Sequence, residues 1–332
     1  MMFLILLFSS TLIAISSYSW MGMWIGLEIN LLSIIPLMYN NNNMSSAEAS
    51  IKYFITQAIA SSAILLSIIL LMKNVNFISN MEFSSSYMMI MNSALLTKMG
   101  MAPFHFWFPE IMEGLSWTNC LIILTWQKIM PMTLLMLNWM TNNFMMSIIV
   151  ISLIISSIMS MNQISLRKIL AYSSINNMSW MMTMIMMMKT TWMVYFIVYS
   201  LMTTMLVVIF NNYKIYFLNQ LFMLNLSIPT KIMFNLNFLS IMGMPPLLGF
   251  MPKWLTIQIL IENNFFLLTS ILIICTLAMI FIYLRMMIPS ILININQMNW
   301  MKDKTINSFT ISLYNFITLT SLISVTFIFN WM

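Results

Sequence analysis

The sequence is poor in the residues that redox and nucleotide chemistry draw on. It has two cysteines, Cys120 and Cys275, both inside apolar runs, whereas an iron–sulfur cluster takes about four thiolates. Its one histidine, His105, cannot ligate a haem from both sides. Six glycines in 332 residues form neither a G-x-G-x-x-G nor a G-x-x-x-x-G-K-[ST] pattern. No metal, nucleotide, flavin or cluster site is therefore expected in this chain, and any electron transfer belongs elsewhere. Arginine is nearly absent (Arg167 and Arg285), and charged residues make up 6% of the chain, against about 25% in a soluble domain. The opening stretch, Met1 to Tyr18, is apolar but has no basic lead, which argues against a cleaved signal.

What is present in quantity is apolar: 61% of residues are hydrophobic. No soluble fold of this length hides that much apolar surface. A bilayer removes the difficulty if the chain runs as helices of about 20 apolar residues, each satisfying its own backbone. The 43 methionines, with abundant Ile, Phe and Asn, suggest an AT-rich, organellar gene, although methionine is also an adaptable core filler. Breaks at Asn, Pro, Ser and charge clusters predict spans near 2–18, 20–39, 49–72, 84–112, 118–139, 144–161, 168–188, 190–211, 232–262, 265–288 and 307–330. The expected fold class is an all-α polytopic membrane protein of about eleven transmembrane helices.

Two of these segments, 84–112 and 232–262, are too long for one crossing and carry Gly and Pro in mid-course. Gly100 and Gly243, Pro103 and Pro246, and Pro109 and Pro252 each stand 143 residues apart, and Tyr53-Phe54-Ile55 recurs 142 residues on as Tyr195-Phe196-Ile197. The offsets predict two five-helix repeats, 1–139 and 140–289, followed by a loop and C-terminal helix at 290–332. An odd number of helices per copy requires the copies to be inverted, and paired interrupted helices in corresponding halves point to a transport site. The plainer explanation is that Gly and Pro kinks are common in membrane helices. With the N-terminus on the negative side, Lys52, Arg167, Lys168, Lys214, Lys231, Arg285, Lys302 and Lys304 lie on that side, and only Lys73 and Lys189 lie opposite. That bias follows the positive-inside rule. It explains the net charge of +6 without nucleic-acid binding.

The informative residues are ionisable groups within spans: Glu28, Lys98, His105, Lys128 and Lys253. A charge at the bilayer centre costs about 2.5–3.5 kcal/mol on insertion scales, so such groups face partners or water. Each has a bland reading: a structural ion pair for Glu28 and a lysine, a hydrogen-bonded core histidine for His105, snorkelling for Lys253. Three lysines exceed what one glutamate neutralises. Burial favours the neutral amine, and a lysine that alternates between forms can pass protons. Glu48, Glu110 and Glu113 read as structural groups near helix ends.

At these residues the sequence resembles a known family. The motifs are Gly26-Leu27-Glu28-Ile29-Asn30-Leu31, Glu48-Ala49-Ser50-Ile51-Lys52-Tyr53-Phe54, Lys98-Met99-Gly100-Met101-Ala102-Pro103-Phe104-His105-Phe106-Trp107, Thr125-Trp126-Gln127-Lys128, Leu166-Arg167-Lys168-Ile169-Leu170-Ala171-Tyr172-Ser173-Ser174 and Pro245-Pro246-Leu247-Leu248-Gly249-Phe250-Met251-Pro252-Lys253-Trp254. In order and together they resemble the subunit 2 family of mitochondrial NADH dehydrogenase (respiratory complex I), one of the antiporter-like proton-pumping subunits. After Trp254 the likeness is one of hydropathy alone. The resemblance implies that Glu28 pairs with Lys98 on the first broken helix, that Lys128 is the central lysine of a proton path, that Lys253 is the ionisable residue of the second broken helix, and that His105 is a relay or water-organising group. It implies NADH, FMN, iron–sulfur clusters and ubiquinone in partner subunits, neighbouring antiporter-like subunits and lipids such as cardiolipin as partners, and the mitochondrial inner membrane with a matrix N-terminus. Asn176-Asn177 stands where relatives often have a histidine, and no role is assigned there. A self-standing cation/proton antiporter and a non-pumping scaffold bundle are the competing readings.

Overall fold

A computed structural model describes residues 2–40, 43–75, 81–138, 142–222, 228–245, 247–292 and 316. Fourteen helices follow one another among the described residues: α1 (Met2–Ser16), α2 (Trp20–Met38), α3 (Met44–Val75), α4 (Met81–Met99), α5 (Trp107–Gly114), α6 (Trp117–Leu124), α7 (Trp126–Leu137), α8 (Asn142–Ser160), α9 (Leu166–Met187), α10 (Lys189–Tyr213), α11 (Leu218–Phe222), α12 (Ile228–Met242), α13 (Phe250–Glu262) and α14 (Phe266–Leu292). Extended pairing among them is confined to one bridge, between Ser165 and Phe217. The chain divides into two compact units, Met1–Ser152 and Leu153–Met332.

Six segments among the described residues are long and apolar enough to cross a membrane: Trp20–Met38, Met44–Lys73, Trp117–Leu137, Asn143–Ser160, Lys189–Tyr213 and Phe266–Ser290. Of the other expected crossings, α1 is a shorter apolar helix, two are the interrupted pairs α4/α5 and α12/α13, and one is α9. The expected helix 307–330 and most of the expected 290–332 segment lie outside the described residues, as does Pro246.

In the first unit α1 lies against α2, where Gly26 leaves no room for a side chain: a Cβ there would stand 2.7 Å from that of Ala14. Phe8 meets Trp126 edge-on with ring centroids 4.4 Å apart, which brings α1 onto α7. Gly114 of α5 packs on the first turns of α3, with a built Cβ 2.5 Å from the Ser45 carbonyl oxygen. In the second unit α9 is buried along almost its whole length, although it carries Ser173, Ser174, Asn176, Asn177, Ser179 and Thr183. Enclosure by protein makes that composition workable. Ser173, Ser174 and Thr183 return their hydroxyls to the carbonyls three residues back, at 2.9, 2.7 and 2.7 Å, the usual internal solution where water is excluded.

The expected span 118–139 is present as Trp117–Leu137, but its helix is interrupted at Thr125 into α6 and α7, which the sequence did not indicate. The Thr125 hydroxyl bonds the Leu121 carbonyl at 2.7 Å, and Pro131 sits inside α7. A threonine that bonds back into its own helix and a proline that cannot donate to the residue four before it both loosen the ladder. The distortion falls three residues before Lys128.

Candidate functional site: two interrupted helices and their lysines

Both long segments are interrupted, and both interruptions begin alike. α4 ends at Met99 and α5 starts at Trp107; α12 ends at Met242 and α13 starts at Phe250. Gly100 and Gly243 take left-handed φ values of 71° and 72°, a conformation open to glycine because it has no Cβ. Gly100 N–H donates to the Thr97 carbonyl at 3.1 Å and Met101 N–H to that of Leu96 at 3.1 Å. Gly243 N–H donates to Ser240 at 3.0 Å and Met244 N–H to Leu239 at 3.2 Å. This pair of bonds is a Schellman cap, and the two caps match bond for bond at the 143-residue offset. So do the next two bonds, Phe104 to Met101 and Phe108 to His105 in the first loop, Leu247 to Met244 and Met251 to Leu248 in the second.

Of the sequence-predicted lysines, Lys98 and Lys253 lie at these interruptions and Lys128 lies on α7, just past Thr125. Lys98, Lys128 and Lys253 are 8%, 1% and 7% exposed, and His105 is 1% exposed. Lys98 occupies the last turn of α4. The expected pairing with Glu28 on α2 is not a direct ion pair: those among the described residues join Lys52 to Glu48 and to Glu110, both at 2.9 Å. Those acids hold the start of α3 to α5, a structural role. His105 lies within the first interruption, its Nδ1 3.4 Å from the Pro103 carbonyl oxygen and its ring 4.5 Å from that of Phe106.

Lys128 Nζ stands 5.6 Å from the centroid of the Phe108 ring. Lys253 lays its stem across Gly243, where a built Cβ would meet its Cδ at 2.8 Å, and Nζ donates to the Met242 carbonyl at 2.6 Å. A cation at the C-terminus of α12 meets both the free carbonyls and the negative end of the helix dipole. Lys253 Nζ is also 5.6 Å from the Trp180 ring centroid.

Polar side chains that sequence reasoning passed over complete each site. Asn30 and Gln127 exchange amide hydrogen bonds: Asn30 Nδ2 donates to Gln127 Oε1 at 3.0 Å, and Gln127 Nε2 to Asn30 Oδ1 at 2.9 Å. Tyr53 Oη donates to the same Gln127 oxygen at 3.4 Å. With Gln57 and Lys98 these groups line a small polar cleft. Gln127 is next to Lys128 in the chain, yet its amide bonds Asn30. In the second unit Tyr195 Oη donates to Asn177 Oδ1 at 3.2 Å, and both line a small cleft with Tyr199, Ser240, Gly249 and Pro252. Asn177, given no role by the sequence, thus stands at a cavity beside the second interruption. A signal for these residues was present: Tyr53 and Tyr195 are the two ends of the 142-residue repeat.

The comparisons with known proteins agree in outline. The family described as NADH:quinone oxidoreductase/Mrp antiporter, transmembrane, matches residues 17–280. NADH-ubiquinone oxidoreductase chain 2 of Anopheles gambiae is 46% identical, with 98% of this chain and 97% of that protein covered. Chain 2 of Locusta migratoria is 38% identical, with 94% and 91% covered. Among solved structures, a chain of respiratory complex I from Thermus thermophilus shares the fold with a TM-score of 0.84 at 18% identity, covering 96% of this chain and 77% of that one. A chain of the archaeal membrane-bound sulfane sulfur reductase gives a TM-score of 0.85 at 13% identity, covering 99% and 73%. With its two capped interruptions and its full-length likeness to chain 2 proteins, this chain belongs to the NADH:quinone oxidoreductase/Mrp antiporter membrane family.

Proposed function

We propose that the chain is a proton-translocating membrane subunit of NADH-ubiquinone oxidoreductase, resident in the mitochondrial inner membrane with its N-terminus facing the matrix. NADH, FMN, iron–sulfur clusters and ubiquinone are handled by partner subunits, and neighbouring antiporter-like subunits and lipids such as cardiolipin surround it. Glu28, Lys98, His105 and Lys128 serve the first unit and Lys253 the second. The observation that carries this reading is the placement of three buried lysines at distorted helices: two at the capped interruptions and one just past the Thr125 break. Charge is expensive in such places, and a bundle that served only as a scaffold has no use for titrating groups there.

In the first unit Glu28 on α2 is the acid assigned to Lys98 at the end of α4. The Asn30–Gln127 amide pair and the Tyr53 hydroxyl give the cleft beside Lys98 donors and acceptors on which a hydrogen-bonded chain can be ordered. Proton transfer then consists of each amine taking and releasing one proton, with no redox step in this chain.

Lys128→Met tests the reading, because it keeps apolar bulk and removes the titrating group. The expected outcome is an assembled complex whose proton yield per NADH falls, or whose NADH oxidation stalls because the two are coupled. Lys128→Arg should also impair it, since arginine stays protonated. Native proton yield from an assembled Lys128→Met complex would overturn the relay and leave the scaffold reading standing.

A further inference from the structure

Lys128 and Lys253 share a surrounding that the repeat does not supply. Each ammonium stands 5.6 Å from the centroid of a fully buried aromatic ring, Phe108 for Lys128 and Trp180 for Lys253. The two pairs are built from non-corresponding positions. The residue 143 places after Phe108 is Met251, and the one 143 places before Lys253 is Glu110. In the first unit the ring comes from the interrupted helix and the lysine from α7. In the second the lysine comes from the interrupted helix and the ring from α9. Inheritance from a common half would place equivalent residues in equivalent roles. Arriving at one geometry by two routes points to a shared chemical need.

We propose that Phe108 and Trp180 are positioning residues of proton transfer, each ring a seat that holds a buried lysine ammonium in place between transfers. The proposal rests on the relay reading given above. A ring face attracts a cation through its quadrupole and has no such attraction for a neutral amine. It therefore stabilises one protonation state selectively, as a carboxylate does, but neither titrates nor accepts the proton. It is also weaker than a buried carboxylate, so the proton is held without being trapped.

Both rings are fixed in place. Phe108 fills the notch at Gly100, where a built Cβ would lie 2.9 Å from the Phe108 Cβ. It also meets Trp107 edge-on at 5.6 Å, and the Trp107 indole N–H is anchored to the Thr97 carbonyl at 3.1 Å. Trp180 sits in the enclosed helix α9 with Ser179 and Met181 buried on either side. Lys253 is set against it by the Gly243 notch and the bond to Met242.

The test compares ring-removing with ring-keeping variants in membrane vesicles carrying the assembled complex, reading NADH oxidation, protons moved per NADH and thermal stability of the particle. Phe108→Leu and Trp180→Leu should slow coupled turnover by about three- to tenfold, while Phe108→Tyr and Trp180→Phe stay within about threefold of native. In a Lys128→Met background Phe108→Leu should add no further loss of pumping, because the ring acts through the lysine. If the leucine variants fail to assemble, Phe108→Met and Trp180→Met carry the same comparison with a more adaptable side chain. Native pumping by the ring-removing variants overturns the seats, as does equal loss in ring-keeping variants or an additive loss in the Lys128→Met background. Normal pumping by Lys128→Met alone would instead overturn the relay itself, so the two failures are told apart.

Discussion

The interruptions at Gly100 and Gly243 begin with the same cap and then diverge, and the divergence separates what a broken helix needs from what its chemistry adds. In the first, the notch beside the glycine is filled by Phe108 and the loop carries His105. In the second, the notch is filled by Lys253, whose ammonium closes the end of the preceding helix. The two chain paths also differ in tightness. Gly249 lies so close to the Ser240 carbonyl that a Cβ would overlap it, whereas the corresponding position in the first interruption is Phe106, which is 69% exposed. Both helices are stopped by a glycine at the left-handed position. What sits in the resulting gap is free to vary, and that freedom lets one half present a histidine and an aromatic where the other presents an amine.

The interrupted helices are anchored in parallel as well. Asn92 and Asn235 also stand 143 residues apart, each eight residues before its glycine. Asn138 Nδ2 donates to Asn92 Oδ1 at 2.6 Å, tying α4 to the end of α7. Asn235 Nδ2 donates to the Ser290 hydroxyl at 3.0 Å, tying α12 to α14. Buried side-chain bonds of this kind hold helices together where apolar contact alone gives little preference over lipid.

The largest expected effect is at Gly249. Gly249→Ala should destabilise the complex by about 3 kcal/mol or more through backbone overlap, while Phe106→Ala at the corresponding exposed position should stay within about 0.5 kcal/mol. Heat-induced loss of the intact particle measures both, and equal losses would break the contrast in tightness. Next come the caps. Gly100→Ala and Gly243→Ala should each cost about 1–3 kcal/mol from the left-handed conformation and the crowded notch. Both should in addition impair pumping, Gly243→Ala because it displaces Lys253 and Gly100→Ala because it displaces Phe108 from Lys128; a purely structural defect in either would break the link between that notch and its lysine.

Lys253→Met should cost about 1.5–3 kcal/mol in stability, the scale of a charge-assisted bond to the α12 end. A variant as stable as the native protein would show that the Met242 contact holds nothing. The smallest effect is that of the anchors: Asn92→Leu and Asn235→Leu should each cost about 0.6–1.7 kcal/mol. If one is neutral and the other costly, the parallel between the two anchors fails.

Sequence reasoning placed the two interruptions correctly because their cause is local. Glycine and proline weaken a helix ladder whatever surrounds them, so Gly100 and Gly243, each soon followed by a proline, mark the breaks. The buried lysines were legible for a similar reason: charge within an apolar run is conspicuous wherever the helix goes. The break at Thr125 was not, because threonine and proline are tolerated in membrane helices, and only the surroundings decide whether the ladder yields. Gln127 illustrates the same limit. It is adjacent to Lys128 in the chain, but successive residues point about 100° apart around a helix, and its amide goes to Asn30.

What the sequence determined by itself was the solvent, the helical class, the places where helices stop and the identities of the costly charges. These follow from composition, the length of apolar runs and the steric freedom of glycine, which act within a few residues. What only the tertiary structure decided was the company each charge keeps: Phe108 under Lys128, Trp180 and the Met242 carbonyl at Lys253, and the Asn30–Gln127 pair beside Lys98. These contacts join residues from 11 to 97 positions apart. The direction of a side chain around its helix, and the helix it meets, are set by packing among many elements at once.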